Sequence, residues 1–407
     1  MKNFLLALCC CVVFFSCKKD ASVEPEEAEI TTESMLDAAD DSLTNLSLMM
    51  KADASKFEGA MLCNQDTAFT FESRSWQGIP SVTVGRSGYI YAAWYSGTTK
   101  EGPGNYVIVE VSTDNGQTWK RNSLIINPTN PKVRFFDPAL WTDKNGNVML
   151  CWTKCKNKLW DGIGGVWYSQ IRYNGSKMMY STPRRIADGV MLNKPAESND
   201  KQQTLYPISV WRINVAGQVN DSGINIFRSF YDDVAKKPGP LTEVGTIPAS
   251  NFLLTYNEHQ IVQLKDNSYF VMIRGIDGIY QTTSKDLYSW TPVTKFTGIP
   301  ATTSSRFFVG RLASGKLALV INNATVRTNL TIYLSDDEGK TWGNPMLIDS
   351  GNPVTYPDLT QDKNGLIHVI YDFDRFGKKN IKMVSFTEAD VLSNATQNIK
   401  RTLISGL

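Results

Sequence analysis

The stretch "TYPDLTQDKNGLIHVIYD", residues 355–372, has nearly the wording of "FDPALWTDKNGNVMLCWT", residues 136–153. Each has a polar or aromatic residue before a proline, a hydrophobic run, Asp-Lys-Asn-Gly, and a second hydrophobic run. Looser copies are "GIPSVTVGRSGYIYAAW" from residue 78, "NKPAESNDKQQTLYPISVW" from 193, "EHQIVQLKDNSYFVMIRG" from 258 and "SRFFVGRLASGKLALVINN" from 305. Aligned on Pro80, Pro138, Pro195, Gln260, Phe307 and Pro357, the copies recur roughly every 50 to 60 residues, the length of one supersecondary unit. Inside each copy, alternating or β-branched runs break at "RSG", "KNG", "DNS" or "ASG", which supply the positive-φ positions of tight hairpins. No long helical periodicity separates the copies. Self-similar all-β units of this size are the mark of four-stranded blades set around a channel. Six copies therefore predict an all-β, six-bladed β-propeller over residues 58–407.

Composition narrows the partners. At 407 residues and 42% hydrophobic the chain can bury a large core, and a net charge of +2 with no basic block excludes a phosphate-tracking surface, so no nucleic acid is expected. Ahead of the repeats, "MKNFLLALCCCVVFFSCKKD" has a lysine, an apolar stretch from Phe4 to Phe15, then Ser16 and Cys17. The stretch is too short to span a bilayer and reads as a secretory signal. Ser16 and Cys17 resemble the bacterial lipoprotein box, which implies a signal over residues 1–17, lipidation of Cys17 and a membrane anchor on the cell envelope. Plain secretion and an uncleaved anchor are the alternatives. Residues 18–57 are acidic and poor in aromatics, as in a disordered tether. Of seven cysteines, only Cys63, Cys151 and Cys155 lie in the repeats; their number and spacing support neither a disulfide framework nor a zinc site. No cofactor or metal is expected, and the chain is expected to be a monomer.

A second motif recurs. "STDNGQTW", Ser112 to Trp119, returns as "SDDEGKTW", Ser335 to Trp342, with a shortened relative at Ser284 to Trp290. The aspartate can accept hydrogen bonds from its own turn, the glycine takes the tight backbone, and the tryptophan packs beneath. This is the Asp-box, and together with the blade pattern it resembles the sialidase superfamily, in particular the bacterial sialidase-like proteins with BNR repeats. "GIPSV" sits where sialidases have Arg-Ile-Pro, "NEHQIVQL" resembles their Glu-bearing strand, and "TYPDL" resembles the strand carrying their tyrosine.

In a propeller the innermost strands all begin at one mouth of the channel, so the residues just before the six alignment points converge on one basin. Among them are Asp137, Asn193, Lys194, Glu258, His259, Arg306 and Tyr356. Convergent ionisable groups in a concave site are where chemistry starts. The resemblance implies Tyr356 as nucleophile and Glu258 as the base that activates it, because a phenol is a poor nucleophile until a carboxylate shares its proton. It implies Glu101, in the loop before the first Asp-box, as general acid, against a plain loop glutamate. It also implies three arginines gripping a substrate carboxylate. The first should stand at Gly78 and does not; the second has no counterpart in "GIDGIYQTTSKD"; Arg327 matches the third. A clamp of Arg327 and Arg306 implies weak binding of a carboxylate sugar or preference for a neutral one. Arg134, Asp137, Asn193 and Lys194 are further substrate-binding candidates. The implied function is an exo-acting glycoside hydrolase with a glycan or oligosaccharide substrate. The alternatives are a non-catalytic glycan-binding propeller of a saccharide-uptake system, or a polysaccharide lyase using His259.

Overall fold

Both copies of Asp-Lys-Asn-Gly close the same turn. Asp143 Oδ1 accepts hydrogen bonds from the backbone N–H of Asn145 (2.9 Å) and Asn147 (2.8 Å). Asp362 Oδ1 does the same for Asn364 (2.8 Å) and Leu366 (2.9 Å). Gly146 and Gly365 take φ of +78° and +85° there, a region a Cβ disfavours. Gly88, Asn267 and Gly315 hold the left-handed position in the matching turns of three other copies. In each case the turn joins an innermost strand to the next strand out.

These contacts come from a computed structural model of the protein. It describes residues 57–65, 67–157, 164–213, 219–235, 237–248 and 258–406, with backbone alone at 211–213 and 219–222. Cys17 and nearly all of the acidic stretch lie outside the described residues. The repeats form six antiparallel sheets, the blades of a six-bladed β-propeller. The innermost strands of blades 1, 2, 4, 5 and 6 are Trp76–Val84, Val133–Thr142, Gln260–Gln263, Phe308–Arg311 and Val354–Gln361. In blade 3 that place is taken by the short strand Ala196–Glu197. Helix among the described residues amounts to one turn and a half, Glu388–Leu392, and two short 3-10 segments.

The apolar runs are continuous because each strand is covered on both faces by neighbouring blades. Ile90–Gly97 is buried throughout. Its residues Ile90, Ala92 and Trp94 pack with Ile370, Ile381 and Met383 of blade 6, while Tyr91, Ala93 and Tyr95 pack with Phe135, Leu150 and Trp152 of blade 2. The period of two thus divides one strand between two cores. Each large side chain so buried contributes about 1.5–3 kcal/mol. Phe57 is buried as well, stacked on Phe135 at 5.2 Å, and Gly59–Cys63 adds a fifth strand to the outer edge of blade 1. Cys151 and Cys155 are buried on the second strand of blade 2 and form no disulfide.

Blades 1 and 6 close the ring through side chains. Asp358 Oδ2 accepts from Ser81 Oγ (2.6 Å) and Val82 N (2.9 Å), and Asp372 Oδ2 accepts from Ile79 N (2.9 Å). Lys194 reaches from blade 3 to Asp358 Oδ2 at 2.9 Å and donates to the carbonyls of Val82 (2.8 Å) and Leu359 (2.9 Å).

The Asp-boxes are self-contained. Asp114 accepts from Ser112 Oγ (2.8 Å) and from Thr118 N (2.8 Å) and Oγ1 (2.5 Å), and Asp337 repeats this with Ser335 and Thr341. These bonds, led by the threonine hydroxyl, hold both carboxyls down at about 2. A calcium ion needs six or more convergent oxygens, and here the aspartate oxygens are occupied by the turn. Saturating EDTA should leave the melting temperature unchanged in differential scanning fluorimetry; a fall of several degrees would show that a cation closes these turns.

Candidate active site

Three of the inner strands begin with the same irregularity. Ile79, Asp137 and Tyr356, each followed by proline, have φ of +60°, +47° and +55°. The ladder slips at each, between Gly78 and Ser81, Phe136 and Ala139, and Thr355 and Asp358. A residue before proline is normally extended, and a left-handed one costs of order 1–3 kcal/mol. Such a bulge re-aims a side chain, here at the start of the strand where the channel opens.

Tyr356 meets a guanidinium there. Arg274, on the second strand of blade 4, donates from Nη1 to the Tyr356 hydroxyl at 3.2 Å and pairs through the same nitrogen with Glu258 Oε1 at 2.8 Å. Its Nε donates to Ser304 Oγ at 3.1 Å. Burial works to discharge Arg274, but Glu258 and Tyr356 outweigh it and hold the guanidinium more firmly charged than usual. Glu258 is buried, and its other oxygen, Oε2, has no hydrogen-bond partner. Glu258 and Tyr356 are therefore joined through Arg274 Nη1 and make no direct hydrogen bond to each other.

The Tyr356 ring also lies among three more guanidinium groups, at 4.8 Å from Arg375, 5.2 Å from Arg306 and 5.5 Å from Arg327. They do different work. Arg306 is buried and donates to the carbonyls of Leu192 (2.8 Å), Pro80 (2.8 Å) and Tyr356 (3.4 Å), so it ties blades 3, 1 and 6 together beneath the ring. Arg327 donates to Ser304 O at 3.1 Å. Arg375 faces Glu101, with 3.5 Å between Nη1 and Oε1. Arg274, Arg327 and Arg375 all stand at, or just after, the end of the second strand of their blades, which are the consecutive blades 4, 5 and 6.

The remaining candidates divide. Asp137 is buried beside the basin; burial first, then the neighbouring Glu101 and Glu258 charges against the opposing pull of Arg134, push its carboxyl up to about 7. Arg134 packs on the Phe136 ring at 3.8 Å and reaches the Tyr95 hydroxyl at 3.5 Å. Asn193 donates to His259 O at 3.0 Å. Lys194, engaged with Asp358, lies in the channel wall and not at the mouth. His259 Nε2 is 2.8 Å from Asn225 O, and His368 is buried mid-strand with Nδ1 2.8 Å from Ser385 Oγ.

Arg274 and Arg375 are the functional candidates that the inner-strand alignment leaves out. Arg274 could have been found by register: the ladder pairs Gln260 with Met272, so two residues further Glu258 faces Arg274. For Arg375 the signal is weaker, an arginine recurring after the second hydrophobic run of three successive repeats.

The sequence matches the model of the BNR repeat-like domain over residues 88–369. No curated protein matches it. Among solved structures, a protein of unknown function from Dyadobacter fermentans superimposes with a TM-score of 0.55 at 16% identity, covering 74% of this chain and 92% of that one. The leech intramolecular trans-sialidase, solved with 2,7-anhydro-Neu5Ac, gives 0.58 at 14% identity, over 82% of this chain and 70% of that one. The intramolecular trans-sialidase of Ruminococcus gnavus, solved with oseltamivir carboxylate, gives 0.57 at 14% identity, over 84% and 99%. At such identities the likeness is one of fold.

Proposed function

Because the chain belongs to the BNR repeat-like domain family, we propose that it is an exo-acting glycoside hydrolase that removes a terminal, carboxylate-bearing sugar. The observation that carries this reading is the Glu258–Arg274–Tyr356 constellation, a buried carboxylate and a strained tyrosine bound to one guanidinium and flanked by others. Guanidinium forks suit a substrate carboxylate, and an uncharged aryl nucleophile suits an anionic sugar better than a second carboxylate would. Tyr356 Oη attacks the anomeric carbon as the bond to the leaving oxygen breaks. Its proton passes to Glu258 Oε2, the oxygen without a partner, in a contact that substrate must bring about, because Arg274 alone joins the two groups in the structure. The leaving oxygen takes a proton from the enzyme, and water then releases the sugar from Tyr356.

Two carboxyls on the basin are candidates for that donor, Glu101 beside Arg375 and Asp137 beside Arg134. Glu101 faces an arginine, whereas Asp137 is held up to about 7 and so carries its proton near neutrality; the role is assigned to Asp137. The sign follows directly. Donation is intact below about 7 and is lost as pH rises through it, so kcat/KM on a natural glycoside should fall on the alkaline side. Asp137→Asn should remove that limb and most of the activity on a poor leaving group while sparing a nitrophenyl glycoside, which departs without a proton. An unchanged profile in Asp137→Asn would return the role to Glu101.

The direct test is a product profile by mass spectrometry after incubation with sialosides and uronate-capped glycans. Release of a saturated acidic monosaccharide is expected. An unsaturated product would indicate a lyase, which the engaged His259 and His368 disfavour. Binding without any product would favour the non-catalytic reading, for which the missing direct contact between Glu258 and Tyr356 speaks. We also propose envelope anchoring through Cys17; Cys17→Ala should move the protein from the membrane pellet to the soluble fraction, and a variant that still pellets would end that idea.

A further inference from the structure

Gly78 occupies the first inner strand at the place where the sialidase resemblance implies an arginine, and its surroundings show what fills the space. A Cβ built on Gly78 would lie 2.7 Å from Asp372 Oδ2, 2.8 Å from Arg375 Cδ and 3.2 Å from Arg375 Cβ. Contacts below 3.0 Å are not tolerated between a real Cβ and its neighbours, so the absent side chain at 78 is a condition for Arg375 to lie where it does. Arg375 comes from the opposite direction, on the 374–379 loop that follows the second strand of blade 6, Leu366–Phe373. It passes over Gly78 and places its guanidinium 4.8 Å from the Tyr356 ring centre. Although largely buried, Nη1 has no hydrogen-bond partner; the nearest anion is Glu101, at 3.5 Å.

Two carboxylates hold the arm. Asp372 is fully buried and fixed by Ile79 N (2.9 Å) and by the Thr355 hydroxyl, so it forms a rigid anionic rail along the stem of Arg375. Glu101 faces its tip. Burial alone would weaken the charge on Arg375, but Asp372, Tyr356 and Glu101 outweigh it. A charged donor with an unfilled nitrogen, fixed beside the proposed nucleophile, is built to receive an anion.

We propose that Arg375 is a carboxylate-binding arm of this site, delivered by the last blade through the gap at Gly78, with Asp372 and Glu101 as its positioning residues. The proposal rests on the sugar-acid reading of the basin. It makes Arg274, Arg327 and Arg375 three arms that rise from the end of the second strand, or from the loop after it, in three adjacent blades. It also makes Gly78 a requirement for the third arm and not the loss of a first.

The test is calorimetric titration with N-acetylneuraminate, D-glucuronate and the methyl ester of N-acetylneuraminate, on wild type, Arg375→Met, Arg375→Lys and Gly78→Ala. A hydrogen-bonded charge pair lost from a binding site weakens affinity roughly ten- to a hundredfold. Arg375→Met should therefore weaken binding of the preferred acid by about that factor and leave the ester unaffected. Gly78→Ala, which keeps the arginine but displaces it, should weaken acid binding in the same direction. Arg375→Lys, which keeps the positive charge but not the planar fork, should retain part of the acid affinity, a result that a merely structural role for the arginine would not give, and unchanged melting temperatures of the Arg375 variants would show the fold to be intact. Equal acid binding by wild type and Arg375→Met, or no acid binding by wild type, would overturn the proposal. Cleavage of the glycan panel alongside either of those results would leave the hydrolase reading standing, whereas Arg375-dependent acid binding with no cleavage would remove the hydrolase and keep the arm.

Discussion

Tyr356→Phe and Glu258→Gln should each lower kcat on the true substrate by about a thousandfold or more, and the double variant should be little worse than either. On the proposed mechanism both residues serve one step, since the phenol cannot attack while it keeps its proton and the carboxylate has no other task in that attack. Arg274 couples them physically, with Nη1 at 2.8 Å from Glu258 and 3.2 Å from Tyr356. Tyr356→Phe deletes one oxygen and keeps the ring among its arginines, so substrate affinity should survive while turnover collapses. Single-turnover kinetics with isotopically labelled substrate would separate the two. Independent, multiplying losses would show that the residues act at different steps, and full turnover by Tyr356→Phe would end the tyrosine mechanism.

The second large effect concerns folding. Asp358→Ala should destabilise the propeller by about 3–5 kcal/mol, the usual consequence of stranding a buried charge. Asp358 is the anion at the centre of the ring, bonded to Lys194, Ser81 Oγ and Val82 N from two other blades. Burial pushes the Lys194 ammonium below its ordinary range and Asp358 opposes this, so removing the carboxylate leaves a cation that the channel wall disfavours. Lys194→Met/Asp358→Leu should recover much of the loss, because a buried pair is often no better than well-packed hydrocarbon. Denaturant unfolding would measure both. A single-variant loss below about 1 kcal/mol would mean that water reaches Lys194 in the channel.

The contrast between Lys194 and Tyr356 shows where sequence reading stops. Blade number, turn chemistry and the beginnings of the inner strands follow from period-two runs and from glycines forced into left-handed turns, both local properties. The direction of a side chain at the start of an inner strand is not local. In blades 1, 2 and 6 the bulge before proline resets the alternation, whereas Lys194 also precedes a proline and carries no such bulge. Arg306 likewise stands at an aligned position but turns beneath the ring to satisfy three carbonyls. Arg274 was within reach of a register count along one hairpin. Arg375 was not, because its place depends on the emptiness at Gly78, nearly three hundred residues away in sequence and adjacent only once the ring has closed.

The strained corner before proline has one occupant with no reactive group. It presents a phenol at Tyr356 and a carboxyl at Asp137, but at Ile79 the same backbone holds hydrocarbon. A β-branched residue is among the worst suited to that conformation, so side-chain preference does not explain the corner there; the main chain makes it regardless of what it carries. The mouth of the propeller is thus a set of like sockets with exchangeable fittings, and one is vacant. A histidine or aspartate at position 79 would relieve strain on the same backbone but would place a polar group in the apolar cluster that Ile79 shares with Trp76, Tyr95 and Phe136, so this blade could take a third reactive group only if a hydrogen-bond partner came with it.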